Sequence, residues 1–181
     1  TASNYALTYY SAIGIAMGFI AVAVTKIVYG IEDLFEKLPI HWAWWPAIGA
    51  IAVGVVGYYE PRTLGVGYYN ITDILSGTMP LMLVASLCIL KFTSWSISLG
   101  SGTSGGTLAP LLTIGGALGL LMGALGEKLF PNAGISIQMS ALVAMSAMFA
   151  GASRAFLTSI VFALETTGQV NALLPLLATC T

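Results

Sequence analysis

The feature that most constrains this chain is a long stretch without any charge. Residues 92–126 contain no Asp, Glu, Lys or Arg, and neither do residues 1–25. Crossing the hydrocarbon core of a bilayer takes about 20 mostly apolar residues, so each stretch is long enough to span one. Of the 181 residues, only 7% are charged and 57% are hydrophobic, whereas an ordinary globular domain carries roughly 25% charged residues. The composition therefore predicts an integral, multi-pass membrane protein.

The few polar side chains exclude several classes of function. Six Lys and Arg against seven Asp and Glu give a net charge of -1, which leaves no basic surface for nucleic acid. One histidine and two cysteines, Cys88 and Cys180, form neither a metal-binding nor a disulfide pattern, so we expect no metal and no other cofactor. Because the chain begins with Thr and ends in an apolar run, we expect a piece of a longer membrane protein. It would be a single membrane domain over residues 1–181 with no soluble domain.

Helices of unequal length are predicted along the chain. The predicted segments are residues 4–38, a second helix ending at residue 59, then 70–76, 80–98, a helix ending at residue 130, 135–150, 154–166, and a last helix from residue 170. The first is about 50 Å long and must tilt or project from a core of roughly 30 Å. Short helices in a membrane need protein or water over their exposed backbone, and broken helices are typical of transporters. We therefore expect an all-α fold with tilted, broken and re-entrant helices.

Two features inside these helices carry packing predictions. Gly115, Gly119 and Gly123 are spaced four apart, which favours close approach of a neighbouring helix. Lys91 lies within an apolar helix, and its long side chain is expected to extend to the membrane surface.

The segment between the 80–98 helix and the helix that ends at residue 130 is rich in glycine and hydroxyl groups. Residues 100–106 hold four glycines and three hydroxyls, and backbone polar groups at bilayer depth must be satisfied. We therefore expect this loop to lie inside the protein and to line polar space. The helix start that follows presents unpaired N–H groups and partial positive charge, which favours an anion. The absence of Lys and Arg from the loop suits an ion that must leave again.

Three other interpretations of the loop remain open at this point. It could be a glycine break that only lets two helices cross closely, or the loop of an unrelated broken-helix transporter for another solute. Residues 102–105 also fit the G-x-S-G pattern of intramembrane serine proteases, but a nucleophilic serine needs a base within reach. The only histidine, His41, precedes the loop beside three tryptophans and is expected at the membrane interface. We do not expect an enzyme.

A family resemblance becomes specific at this loop. Ser101-Gly102-Thr103-Ser104-Gly105 followed by Gly106-Thr107-Leu108-Ala109-Pro110 resembles the G-x-F-x-P region of the ClC family of chloride channels and chloride/proton antiporters. Three further motifs agree in order: Arg154-Ala155-Phe156-Leu157-Thr158 resembles R-A-P-L-T, Leu164-Glu165-Thr166-Thr167 resembles L-E-x-T, and Leu174-Pro175 resembles the L-P that follows. Phe156 stands where the family has proline. The resemblance covers essentially the whole chain.

The resemblance implies a fold, a function and a site. It implies the second of two inverted-topology repeats, with the family's last membrane helix missing, and chloride transport by a voltage-gated channel or an antiporter. Gly106, Thr107 and Leu108 form the implied chloride-binding segment, in which the N–H groups of Thr107 and Leu108 bind the ion. The other residues of the implied pore loop are Ser101, Gly102, Thr103, Ser104, Gly105, Ala109 and Pro110. Leu108 replaces the family's Phe, which removes an aromatic wall and leaves the N–H donor.

The resemblance also implies partners. These are chloride, the lipid bilayer of a bacterial cell, a second copy of the protein, and the first repeat and last helix of the same protein. The family's gating and proton-transfer glutamates belong to that first repeat, so channel and antiporter both stay open. The implied dimer contacts are Leu157, Ile160, Val161, Leu164, Leu173 and Leu177.

Overall fold

The fold is a packed set of helices. The computed structural model describes residues 4–65, 67–131, 133–168 and 170–180, and every regular element within these ranges is helical. The α-helices are α1 (Asn4–Glu36), α2 (Trp45–Tyr59), α3 (Tyr68–Ser76), α4 (Leu81–Gly100), α5 (Leu108–Leu129), α6 (Ile137–Ser153), α7 (Phe156–Thr167) and α8 (Leu173–Cys180). Single 3-10 turns occur at Trp42–Trp44, Pro61–Thr63 and Val170–Ala172. The predicted all-α class is confirmed.

Long and short helices occur together, as the sequence predicts. Within the described ranges, three helices are long and apolar enough to cross a membrane, namely Tyr5–Glu36, Leu81–Gly100 and Leu108–Leu129. Three further apolar helices are shorter, namely Ile137–Ser153, Phe156–Glu165 and Val170–Cys180. The described residues therefore combine long spans with shorter helices that pack beside them.

The helix predicted at residues 154–166 begins later than expected. Arg154 follows α6 with φ 55° and ψ 29°, the left-handed conformation in which many helices end. Ala155 precedes α7, which starts at Phe156. The N–H of a first helical residue has no intrahelical partner, which is why proline is common there, and Phe156 occupies that position here. Arg154 therefore lies outside α7.

Close packing of α5 on α6 forms the centre of the fold. A Cβ built on Gly119 would lie 2.4 Å from the Cβ of Ala144 and 2.5 Å from the carbonyl oxygen of Ser140. Gly115 and Gly123 meet α6 in the same way, since a Cβ on either would lie 2.7 Å from a Cβ of that helix. Glycine is therefore required at this face because any side chain would separate the two backbones. The predicted close packing of these glycines is confirmed.

Helix α1 holds α5 and α6 together at one end. The Tyr9 hydroxyl donates to the carbonyl oxygen of Met122 on α5 at 2.7 Å. The Tyr10 hydroxyl accepts from the backbone N–H of Ser136, the residue that precedes α6, at 3.1 Å. Two adjacent tyrosines thus fix the long helix against both members of the central pair.

Gly119→Ala is expected to lower the thermal unfolding midpoint of the intact protein in detergent. The added methyl group would overlap Ala144 and the Ser140 carbonyl, and overpacking a tight core costs about 1–3 kcal/mol. Gly18→Ala is the matched control, because a Cβ there meets nothing within 4 Å and alanine is the better helix former. Equal midpoints for the two variants would contradict the close packing.

Candidate anion-binding site

The break between α4 and α5 begins with backbone hydrogen bonds that end α4. The N–H of Ser101 donates to the carbonyl of Ile97 at 2.9 Å, and the N–H of Gly102 donates to that of Leu99 at 3.0 Å. Gly102 has φ +79°, a left-handed conformation that glycine adopts without steric cost. The chain therefore leaves the axis of α4 at this glycine.

Two of the three loop hydroxyls cap α4 instead of facing a ligand. The Ser101 hydroxyl donates to the carbonyl oxygen of Ser98 at 2.7 Å, and the Thr103 hydroxyl donates to the same oxygen. Carbonyls in the last turn of a helix otherwise lack a partner. Of these three, Ser104 alone has an exposed hydroxyl with no partner in the described part of the chain. The hydroxyl-rich sequence is thus explained largely by capping.

In contrast to the capped end of α4, the start of α5 has backbone groups without hydrogen-bond partners. The backbone N–H groups of Thr107, Leu108 and Ala109 donate to no acceptor in the described part of the chain. Pro110 has no N–H, and the N–H of Leu111 returns to the carbonyl of Thr107 at 3.2 Å. Because α5 continues for 22 residues, its dipole adds partial positive charge at this end. The arrangement suits a small anion.

The expectation that the loop lies inside the protein is not met by the described residues. Gly102, Ser104, Gly105, Gly106 and Thr107 are exposed. Both ends of the loop are buried, since Ser101 is 1% exposed and Ala109 6% exposed. The described helices pack against the two ends of the loop and leave its middle uncovered.

Helices α1 and α2 hold the end of α4 through two glycines. A Cβ on Gly49 of α2 would lie 2.3 Å from the hydroxyl oxygen of Ser101. A Cβ on Gly100 would lie 2.5 Å from the Cγ2 of Ile31 on α1. Neither contact could be predicted from the sequence, because a lone glycine in an apolar helix does not show which neighbour approaches it.

Two cavities flank the start of α5, and Trp95 of α4 lines both. The Thr107 cavity, about 220 Å³, includes Thr107 and side chains of α1 and α6. The Lys91 cavity, about 360 Å³, includes Lys91, Ser94 and Gly106. The start of α5 therefore lies between two partly open cavities.

Lys91 is buried, so the expectation that its side chain extends to the membrane surface is wrong. It is 4% exposed, and its ammonium donates to the carbonyl oxygens of Thr63 at 2.7 Å and Gly65 at 2.9 Å. These carbonyls belong to the polar connection before α3, and that of the buried Thr63 needs a donor. The connection is thereby attached to the face of α4 that lines the Lys91 cavity.

The sequence of the whole chain matches a known family. A sequence model described as "Voltage gated chloride channel" matches residues 1–181. The chain is 30% identical over 177 residues to the H+/Cl− exchange transporters ClcA of Salmonella arizonae and Salmonella paratyphi B. The match covers 94% of this chain and 37% of each relative, so the chain spans less than half the length of the proteins it matches.

Solved structures share the fold. The TM-score is 0.86 with a slow cyanobacterial Cl−/H+ antiporter, at 24% identity, over 99% of this chain and 43% of that one. It is 0.81 with a eukaryotic CLC transporter, at 25% identity, over 99% of this chain and 32% of that one. The helix arrangement implied by the sequence resemblance is therefore confirmed.

Gly49→Ala is expected to weaken the cap on α4. The new methyl group would overlap Ser101 and push its hydroxyl off the Ser98 carbonyl, a loss of about 1 kcal/mol. Amide hydrogen exchange at residues 101–103 of the intact protein should become faster. Gly54→Ala on the same helix, where a Cβ meets nothing within 4 Å, should leave exchange unchanged. Identical exchange in both variants would rule the contact out as a support of the loop.

Proposed function

Because the chain belongs to the voltage gated chloride channel family, we propose that it carries chloride across a membrane as part of a longer protein. The observation that supports this most directly is the set of unpartnered N–H groups on Thr107, Leu108 and Ala109. Donors carrying partial charges can stabilise an anion without holding it as tightly as a fixed cation would. The side chain of Leu108 packs against the core, and its N–H has no acceptor among the described residues. Leucine in place of the family's phenylalanine therefore keeps this donor available.

The glycines of the loop favour ligand approach over simple helix crossing. A Cβ on Gly106 would meet nothing within 4 Å, and one on Gly105 would only reach Leu99 at 4.0 Å. Packing therefore does not require glycine at either position. A bare backbone at these two residues instead lets an ion reach the start of α5 without a side chain in the way.

We propose further that this chain is the second of two inverted repeats and that other segments complete the site. Moving an ion into a dry interior costs of order 20 kcal/mol, and each hydrogen bond to a charged group returns about 1.5–3 kcal/mol. Three N–H groups do not balance that cost. The exposed middle of the loop also needs cover at bilayer depth, and the chain spans only 37% of the relatives it matches. Both observations support a missing first repeat and last helix.

Exchange of chloride for protons is the mode that the relatives favour. The Salmonella proteins at 30% identity are H+/Cl− exchange transporters, and we propose the same coupling here, in a bacterial cell membrane. The protease alternative gains no support, because the Nδ1 of His41 accepts a hydrogen bond from the N–H of Ala43 at an exposed turn before α2. We therefore propose a transporter and not a peptidase.

Thr107→Pro is expected to reduce chloride efflux from liposomes containing the intact protein by about tenfold to hundredfold. Proline removes one N–H donor and constrains the start of α5, and one hydrogen bond to a charged group contributes about 1.5–3 kcal/mol. A pH electrode in the same assay distinguishes exchange, in which protons move against chloride, from a channel, in which they do not.

Leu81→Pro is the matched control for that variant. It introduces proline at the first residue of α4, where the N–H has no intrahelical partner, in place of a side chain that is 47% exposed. Efflux should stay near that of the unmodified protein. Full efflux from Thr107→Pro would overturn the assignment of the site.

We propose that α7 and α8 contribute the contact with a second copy of the protein. Leu157 is 69% exposed, Val161 50%, Leu173 39% and Leu177 38%, and the first two lie one turn apart on α7. The other two implied contacts are less available. Ile160 is only 4% exposed and belongs to the core of this chain, and Leu164 packs partly against that core.

Leu157→Trp is expected to shift the intact protein in detergent from dimer to monomer, because the larger ring would hold two apposed helices apart. Light scattering coupled to gel filtration measures the change. Ile51→Trp is the control, since Ile51 has the same 69% exposure but lies on α2. A dimer that persists in both variants would exclude this face.

A further inference from the structure

A polar cavity, here called the Arg62 cavity, lies between the end of α2 and the start of α3. Its volume of about 590 Å³ is in the usual range of ligand sites, about 300–1,000 Å³. Arg62 and Asp73 both line it, and one guanidinium N–H donates to one carboxylate oxygen at 3.2 Å. The other Arg62 donors and the second oxygen of Asp73 have no partner in the described part of the chain. The cavity therefore offers both a positive and a negative group to a ligand.

Backbone donors lie beside the guanidinium. Tyr68 and Tyr69, the first two residues of α3, line the same cavity. Their N–H groups donate to no acceptor among the residues that the structure describes. Arginine and the first N–H groups of a helix are both common partners of phosphate. This side of the cavity therefore suits a phosphate group.

Asn70 supplies a buried acceptor beside the carboxylate. It lines the cavity and is only 4% exposed, and its Nδ2 donates to the carbonyl oxygen of Arg62 at 2.8 Å. Its Oδ1 accepts from no described residue. In the described part of the chain, the side-chain atoms that are both enclosed and unpartnered are the indole nitrogens of Trp45 and Trp95. The Asn70 oxygen consequently reaches open space, and it is available to a donor in the cavity that Asn70 lines.

The helix that leads into the cavity has an apolar outward face. Ile48, Ile51, Val55 and Tyr58 are spaced three and four residues apart, so they share one face of α2, and all four are exposed. No charged residue occurs in α2. The face ends at Tyr58, three residues before Pro61, the first residue that lines the cavity. A ligand with a polar head and apolar chains matches this sequence of surfaces.

Exposed tyrosines place the cavity at the depth of lipid headgroups. Tyr58 and Tyr59 end α2 and Tyr68 and Tyr69 begin α3, and all four are exposed, Tyr69 by 88%. Tyrosine is enriched where the hydrocarbon core of a membrane meets its headgroups, and the face of its ring attracts a cation. The position of the cavity therefore favours a lipid over a ligand from solution.

We propose that the Arg62 cavity binds the headgroup of phosphatidylethanolamine, with the acyl chains along the outward face of α2. The phosphate contacts Arg62 and the start of α3, and the primary ammonium donates to Asp73 and to the Oδ1 of Asn70. A choline head has no N–H to donate, and a glycerol head has no positive charge. This lipid site goes beyond chloride transport and rests only on the location of the chain in a membrane.

The test is native mass spectrometry of the intact protein in detergent, which measures retained lipid directly. Phosphatidylethanolamine, phosphatidylcholine and phosphatidylglycerol with the same acyl chains are added separately over a series of concentrations. Phosphatidylethanolamine should bind about tenfold more tightly than either of the others, because each lacks a hydrogen bond from a charged donor to the protein.

Two variants with matched controls locate the site. Asp73→Asn should remove the preference for phosphatidylethanolamine, whereas Arg62→Gln should weaken all three lipids about tenfold, because they share the phosphate. Asp33→Asn and Arg154→Gln change the only other aspartate and the only other arginine of the chain. Both controls are exposed and lie outside the cavity lining, so lipid binding should be unchanged.

The outcomes decide between this site and its alternatives. Equal retention of the three lipids, or retention that neither Arg62→Gln nor Asp73→Asn changes, would overturn the proposal. A preference for phosphatidylglycerol that Arg62→Gln removes would indicate recognition of phosphate alone and contradict the roles of Asp73 and Asn70. No retained lipid would mean that other segments of the intact protein cover the cavity. Exposed ion pairs contribute little to stability, and the comparison of lipids on the unmodified protein decides even if a variant does not fold.

Discussion

The contact between α5 and α6 is the interaction on which the rest of the structure depends. In lipid, helices gain little from hydrophobic burial against one another, so close van der Waals contact and hydrogen bonds must hold them together. Gly115, Gly119 and Gly123 allow that contact, because each places bare backbone against α6. Since α5 is fixed along its length, the position of its first turn is fixed as well. The donors at that turn can then be aimed at an ion before the ion arrives.

Hydrogen bonding at the break between α4 and α5 is asymmetric. At the end of α4 the carbonyls of Ile97, Ser98 and Leu99 accept hydrogen bonds from residues 101–103, whereas the donors at the start of α5 are left free. Lys91 and Ser94 add further donors on the adjoining face of α4. The start of α5 and the adjoining face of α4 therefore present unpaired donors, which favour a solute with acceptor groups such as an anion.

Much of the fold and the main candidate site could be predicted from the sequence. Helix positions follow from uninterrupted apolar runs between prolines and glycines, and the start of α5 is marked by a glycine segment that ends in Pro110. Two expectations differ from the structure, since Lys91 is buried and Arg154 ends α6 instead of beginning the next helix. The hydroxyls of Ser101 and Thr103, which the sequence places in the loop, cap α4. For Lys91, Ser101 and Thr103 the partner is a backbone carbonyl, whose position depends on how the chain turns.

By itself, the sequence determined that the chain lies in a membrane, that its fold is all-α, and where a helix start leaves backbone N–H groups unpaired. These depend on local composition, because the length of an apolar run and the position of a helix start are properties of consecutive residues. The tertiary structure alone decided which polar groups are already used and which remain for a ligand. That distinction separates the hydroxyl of Ser101, bonded within its own helix turn, from the hydroxyl of Ser94, which no described residue partners. It also brought the carbonyls of Thr63 and Gly65 to Lys91, since contacts between distant segments require the folded chain.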